Sequence, residues 1–368
     1  MLPYRTIVCE VTNQCSHRCV HCYNFWRDDR PRTITPTTLA RGEIRELVRR
    51  IKRETALEQV AISGGEPLLR SDLPGILQDI LDEGLNPVVI TSGTALTPAR
   101  VRRLPADTLL EVTLFGADAE LHDRIVGRKG TLKRVIEGVA RAREHGCRLV
   151  VSVVVSALNV HEVRNALELG IALGAEGFLL NRMNLTPLTM RDASLTMTRA
   201  QLEQMLAAAE AVAAEYDAPI AVSVPIPACV VDPAGYPHLH FGWCPRGGAD
   251  AYYTVGHDGM LRPCNHSSVV LGDLCKSSFS ELTEGQRARD FWAPFPAECA
   301  TCEHPLREVC RGGCAAASDE CYGTRERWDP VIDVALGRQG RDAPHLSVRQ
   351  AQPIRPAGRV AAAEVSGG

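Results

Sequence analysis

Six short apolar runs recur along the first half of the chain: RTIVCEV (5 to 11), EQVAIS (58 to 63), PVVIT (87 to 91), LLEVTLF (109 to 115), RLVVSVVVS (148 to 156) and GFLLNRM (177 to 183). Helical periodicity fills the gaps. TTLARGEIRELVRRIKRE, LPGILQDILDEG, TLKRVIEGVARAREHG and HEVRNALELGIALG lie between runs, and TRAQLEQMLAAAEAVAAEY follows the sixth, several of them closed by glycine where a helix should stop. Near-continuous apolar strands joined by helices predict a parallel sheet buried on both faces. A complete barrel of this kind needs eight units, so six predict either a partial (β/α)6 TIM-like barrel or an open doubly wound sheet. In both, the loops after the strands' C-terminal ends carry the chemistry.

A chain of 368 residues with 45% hydrophobic content can bury a sizeable core, and one large domain plus a smaller one is expected. The formal net charge of -3 gives no global attraction to nucleic acid or anionic lipid, and the arginines clustered between Arg27 and Arg53 read as a solvated helix face. Arg5 and Glu10 fall where a signal peptide needs an unbroken apolar stretch, and no later run reaches membrane-spanning length. A cytoplasmic protein with no nucleic-acid or membrane partner is expected.

Fourteen cysteines in such a compartment are hard to explain as disulfides, whereas clustered thiolates ligate zinc or iron-sulfur clusters well. The stretch CSHRCVHC puts Cys15, Cys19 and Cys22 in the loop after the first strand. One reading is a zinc site completed by His17 or His21. The other is a four-iron cluster on three thiolates, whose fourth iron lacks a protein ligand and can bind a substrate or cofactor directly. After the second strand, AISGGEPLLR sets Gly64, Gly65, Glu66 and Pro67 on the same edge. Two glycines let backbone approach a ligand closely, and a carboxylate beside them can receive an ammonium group.

Together, C-x3-C-x2-C after strand one and GGEP after strand two resemble the radical S-adenosylmethionine enzymes, over roughly residues 5 to 215. The resemblance implies a [4Fe-4S] cluster on Cys15, Cys19 and Cys22 whose open iron chelates the amino and carboxylate groups of S-adenosylmethionine, with Gly64 to Pro67 helping to hold the amino end. One-electron cleavage of the sulfonium would then give a 5'-deoxyadenosyl radical that abstracts hydrogen from an unactivated C–H bond. Direct contact matters because each roughly 59 mV of potential mismatch costs about 1.4 kcal/mol for one electron. Ser92, in the TSG turn (Thr91 to Gly93) after strand three, matches a ribose-facing position, and Asn159 after strand five could face the cofactor. Each also reads as an ordinary turn or cap residue. His122 and Asp123 fall in a segment common in the family but receive no role, and His21 is read either as packing on the adenine or as an exposed loop residue.

After Tyr216 the sequence turns rich in Pro and Gly, and seven of the nine cysteines that follow are regularly arranged: Cys244, fourteen residues, Gly259, four residues, Cys264, then Cys299, Cys302, Cys310, Cys314 and Cys321. This resembles the SPASM extension of the same enzymes, over roughly residues 240 to 325. It departs from the pattern in having seven residues, rather than the commoner five, between Cys302 and Cys310. The resemblance implies two auxiliary iron-sulfur clusters, one on Cys299, Cys302, Cys310 and Cys321 and one on Cys244, Cys264 and Cys314. The second set lacks a ligand, for which Cys229, Cys275, Asp250 or an open iron are the alternatives. The domains expected are a radical core at 1–215, a SPASM domain at 216–328 and a mobile tail at 329–368.

Relatives of this kind chiefly modify peptides or proteins, so the resemblance implies a peptide maturase acting by oxidative C–H functionalisation, with a flavodoxin or ferredoxin as one-electron donor. The cysteine loop begins at residue 15, which leaves no room before it for a peptide-recognition domain, so a leader peptide would be held by a separate protein or by the sheet and extension. A sulfatase-maturating protein oxidase is disfavoured, because Asn265 stands where those members carry an aspartate base. Cys9, Cys147, Cys229 and Cys275 are spare thiols, buried structural residues or hydrogen-atom donors for an epimerase. A small-molecule radical oxidoreductase or mutase, and a non-enzymatic zinc or cluster protein, are the competing readings.

Overall fold

The computed structural model describes residues 1–24, 38–186, 189–192 and 194–338. All six expected strands are present: β1 (Thr6–Thr12), β2 (Gln59–Gly64), β3 (Asn86–Thr91), β4 (Leu109–Leu114), β5 (Arg148–Val155) and β6 (Phe178–Arg182). They pair in sequence order, each parallel to the next. The connections run through α1 (Arg41–Glu54), α2 (Leu73–Asp82), α3 (Pro98–Val101), α4 (Ala119–Val126), α5 (Thr131–Glu144) and α6 (Val163–Ala172), and α7 (Arg199–Tyr216) follows β6. Ile44, Leu47, Val48 and Ile51 form the buried stripe of α1, at the i, i+3, i+4, i+7 spacing that turns one helical face onto a sheet. Ile7, Val60, Ile62, Val89, Leu114, Val153 and Leu180 fill the sheet interior.

The sheet does not end with β6. β7 (Ile220–Val222) and β8 (Leu239–Phe241) continue it in parallel, while β9 (Thr254–Val255) pairs parallel with β1 at the opposite edge. β10 (Met260–Arg262) and β11 (Gly272–Asp273) add antiparallel ribbons there. The eleven strands form one open sheet in the order β11-β10-β9-β1-β2-β3-β4-β5-β6-β7-β8. A six-strand partial barrel has two long unpaired edges, and residues 220–273 cover both, leaving only the short strands β8 and β11 at the edges of the sheet, one of the ways proteins limit edge pairing. The expected division at 215/216 therefore does not mark the end of the sheet or of its core, which also takes in Val222, Val255 and Leu261.

Beyond β11 come short helices, α8 (Phe279–Thr283), α9 (Gln286–Trp292), α10 (Arg307–Cys310), α11 (Ala315–Tyr322) and α12 (Val331–Ala335). The last lies where a mobile tail was expected. Asp329, Val331 and Ile332 are buried, and Arg182 at the end of β6 donates to the Asp329 carboxylate. VIDVA presents enough apolar surface to dock as a single helical turn, so the folded chain runs on to at least Gly337, and residues 339–368 lie outside the described residues. The arginine face of α1 is also more engaged than expected. Arg41 grips Asp79 through two hydrogen bonds, Arg49 grips Glu83, and Arg50 donates to the carbonyls of Leu274 and Ser277. Arg27, Arg30 and Arg32 lie outside the described residues. No helix among the described residues is long and apolar enough to cross a membrane.

Candidate functional site

The cysteine loop sits over the C-terminal edge of the sheet because two neighbouring segments, the turn after β2 and the end of α4, hold it there. The Gly65 amide donates to Thr12 O (2.7 Å) and the Glu66 amide to Gln14 O (2.7 Å), which ties the chain entering the loop to the GGEP turn. Arg18 and Val20 amides donate to Val126 O (3.1 Å) and Ile125 O (3.0 Å) at the end of α4, and Asn24 Nδ2 reaches Gly64 O at 3.2 Å. The two glycines have a geometric purpose. A Cβ at Gly64 would lie 2.2 Å from Thr12 O and one at Gly65 2.0 Å from Gln14 O, and Gly64 holds φ +127°. Backbone meets backbone here, and no side chain fits between.

Glu66 is buried, with only 1% of its surface exposed, and both carboxylate oxygens already have donors. One accepts from Thr91 Oγ1 (2.6 Å) and the Leu68 amide (3.2 Å), the other from the Ser92 amide (3.0 Å) and Ser92 Oγ (2.5 Å). Ser92 Oγ also lies 3.1 Å from Thr94 Oγ1, which lies 3.0 Å from His17 Nε2 inside the cysteine loop. A continuous polar chain, Glu66–Ser92–Thr94–His17, thus couples the ends of β2 and β3 to the loop. The sequence reading singled out Glu66 and Ser92 but gave Thr94 no role and considered His17 only as a zinc ligand. Pro67 opens a 3-10 turn directly behind Glu66 and is buried with Leu68.

Asn159 has both polar atoms of its side chain paired within the protein. Its Oδ1 accepts from the Ser156 amide (2.8 Å) and Ser156 Oγ (3.1 Å), and its Nδ2 donates to Phe115 O and Val154 O, both at 2.9 Å. All its polar capacity is spent on tying the ends of β4 and β5 together. Asp123 is similarly structural, accepting from Gly130, Thr131 and Leu132 at the start of α5. His21 meets Phe115 edge-on at 4.8 Å, and Phe115 also contacts the buried His122 at 5.4 Å. Burial lowers both imidazoles to about 4, so both are neutral at physiological pH.

All fourteen cysteines are thiols, with no disulfide between any two. Among the described residues no group of three His, Cys, Asp or Glu side chains is already drawn together around a single metal-ion position. Beyond the first loop the thiols form two neighbourhoods. Cys244, Cys264 and Cys314 feel one another's charge, with Tyr252 and the buried Arg246 beside them. Burial first, then Cys244, pushes Cys264 up to about 12, and Cys314 is also raised, by burial and then Asp329. Cys299, Cys302 and Cys310 line a separate cavity, and burial with these neighbours pushes Cys299 up to about 11. Such thiols become thiolates at neutral pH only when a metal's charge favours the anion, which is the donor chemistry of an iron-sulfur site.

Cys321, near the end of α11, is buried in the main core, with Asp329, Glu320 and Arg182 as its charged neighbours. Cys229 lies in the Cys299 cavity, not beside Cys244. Cys275 lies against Gly259, and Asp250 is exposed in a turn. The first loop and the Cys264 loop meet directly: Asn265 Nδ2 donates to Tyr23 Oη at 3.2 Å, and the Tyr23 and His266 rings stack edge-on at 4.7 Å. Sequence reading did not find this junction, because its partners are 242 residues apart.

Comparison with known proteins accords with this arrangement. The model of the radical SAM superfamily matches residues 9–170, and that of SPASM, an iron-sulfur cluster-binding domain, matches residues 244–314. A PqqA peptide cyclase of Ruegeria pomeroyi is 30% identical over 348 residues, which cover 88% of this chain and 86% of that protein. An AdoMet-dependent heme synthase of Methanosarcina barkeri is 28% identical over 354 residues, 91% of this chain and 98% of that one. The solved structure of Streptococcus suis SuiB bound to its precursor peptide SuiA shares the fold, with TM-score 0.68 at 13% identity over 91% of this chain and 76% of that one.

Proposed function

The chain belongs to the radical S-adenosylmethionine enzymes that carry a SPASM iron-sulfur domain, and from that premise we propose that it functionalises a C–H bond of a ribosomally made peptide. The family's cofactors are S-adenosylmethionine, the [4Fe-4S] cluster that binds it, and auxiliary clusters in the SPASM domain. When bound, the first cluster supplies the electron that splits the sulfonium and yields a 5'-deoxyadenosyl radical.

This chain's residues fit that chemistry. Cys15, Cys19 and Cys22 would hold three irons and leave the fourth to the amino and carboxylate groups of S-adenosylmethionine. Thr12–Gln14, tied to Gly65 and Glu66, orients the loop. Because the Glu66 carboxylate is occupied by Thr91 and Ser92, we assign the cofactor's amino group to backbone of the Gly64–Pro67 turn and give Glu66 the task of holding that turn rigid. Asn159 acts at one remove, by fixing the ends of β4 and β5. Cys244, Cys264 and Cys314 would share an auxiliary cluster.

The peptide class rests on one observation, the peptide cyclase relative that matches nearly the whole chain. A flavodoxin or ferredoxin as electron donor, a separate leader-binding protein and a cytoplasmic setting complete the proposal, the last supported by fourteen cysteines without a disulfide. The heme synthase relative favours a second reading, a small-molecule substrate. Anaerobic reconstitution with reductant, S-adenosylmethionine and peptides encoded beside the gene tests both. A mass change localised to one peptide residue, with 5'-deoxyadenosine formed in step, is expected. Turnover of a tetrapyrrole with every peptide unchanged would transfer the assignment to the second reading.

A further inference from the structure

Between β7 and β8 the chain makes a tight turn in which the Val230 and Val231 amides both donate to Pro227 O, at 2.8 and 3.2 Å. Ala228, Val230 and Val231 are buried, whereas Cys229 between them is exposed and lines the cavity formed by Cys299, Cys302, His304, Cys310 and Gly312. The cavity holds about 300 Å³ of empty space counted out to its open mouth. Its other walls are short turns as well. The Cys302 amide donates to Cys299 O (3.2 Å) and the Gly313 amide to Cys310 O (2.9 Å), so all these thiols ride on hydrogen-bonded backbone. Gly313 leaves no space for a side chain, since a Cβ there would lie 2.9 Å from Pro227, which locks the Cys229 turn against the Cys310–Cys314 segment.

We infer that Cys229 is the fourth protein ligand of the auxiliary cluster held by Cys299, Cys302 and Cys310, in the position the family resemblance gives to Cys321. This rests on the iron-sulfur reading above and adds to it a ligand from outside the matched SPASM segment of residues 244–314. Cys321 sits seven residues beyond Cys314, two turns of α11 away, and its side chain belongs to the core. A turn between two sheet strands thereby fastens the cluster to the barrel as well as to the extension.

The test compares anaerobically reconstituted wild-type protein with Cys229→Ser, Cys321→Ser and Cys299→Ser by iron and sulfide counting and by Mössbauer and EPR spectra. Cys229 is exposed, so its replacement leaves the core intact, and far-ultraviolet circular dichroism and thermal melting check each variant's fold. Cys229→Ser and Cys299→Ser are expected to lose about one to four irons each, with loss of the same auxiliary signal or appearance of a three-iron signal, while Cys321→Ser keeps the wild-type count. The reverse pattern, with Cys321→Ser losing that signal and Cys229→Ser retaining it, overturns the ligand assignment alone. Wild-type protein that takes up zinc and no iron overturns the assignment together with the iron-sulfur reading beneath it.

Discussion

Glu66 and Asn159 are both buried polar residues near the loop, and both are fully engaged with protein groups. For Asn159 this separates a structural role from a cofactor contact. Asn159→Ala leaves the carbonyls of Phe115 and Val154 without a donor, and should cost about 1–3 kcal/mol of stability. The affinity of the folded variant for S-adenosylmethionine should stay within about threefold of wild type, a ratio worth only about 0.7 kcal/mol, which equilibrium dialysis measures. His122 gives a pH signature. Its imidazole titrates near 4 in the folded protein against an ordinary 6.5, so as pH falls the unfolded chain binds the proton first. Its contribution is intact above about pH 6.5 and is lost progressively toward pH 4, by up to about 3 kcal/mol. Thermal melts of His122→Phe should therefore fall less steeply than wild type between those limits.

At the level of elements, β2 and the cysteine loop form one unit, because Gly64 and Gly65 let the strand end press on Thr12–Gln14. In Gly65→Ala the obstruction is a backbone carbonyl that cannot rotate away, and overpacking of this kind costs about 1–3 kcal/mol. Iron analysis should show loss of the first cluster with the auxiliary signals retained. Both glycines were legible in the sequence as points of close approach, but the partner is the chain's own loop as much as any ligand. β1 to β6 were legible because each carries an apolar run, buried almost continuously in β1, β2 and β5 and in alternation in β4 and β6. β7 to β11, two or three residues each, were not, since strands so short have no periodicity to detect and exist only because a preformed edge offers them partners.

At the scale of the whole molecule, the composition changes after Tyr216, yet residues on either side share one sheet. Pro and Gly mark turns, and a sheet edge can be completed from any point in the chain. A fragment ending at residue 215 should consequently expose both edges and aggregate, which size-exclusion chromatography would show. Similarly, ending the chain after Trp328 strands Arg182 as a buried unpaired charge and should lower stability by about 3–5 kcal/mol, which thermal melting measures. The cysteine inventory was legible in full, but the grouping was not: Cys229 and Cys299 are 70 positions apart and meet only after the sheet has brought the β7–β8 turn beside the extension.

Three thiols, Cys15, Cys19 and Cys22, would leave one iron open to the cofactor. Electron-nuclear double resonance on the reduced, anaerobic protein with S-adenosylmethionine labelled at its amino nitrogen and carboxylate oxygens examines that corner directly. Hyperfine coupling to both labels is expected, and it should vanish in Cys19→Ser. A reduced cluster in the wild-type protein that couples to neither label would contradict this ligation.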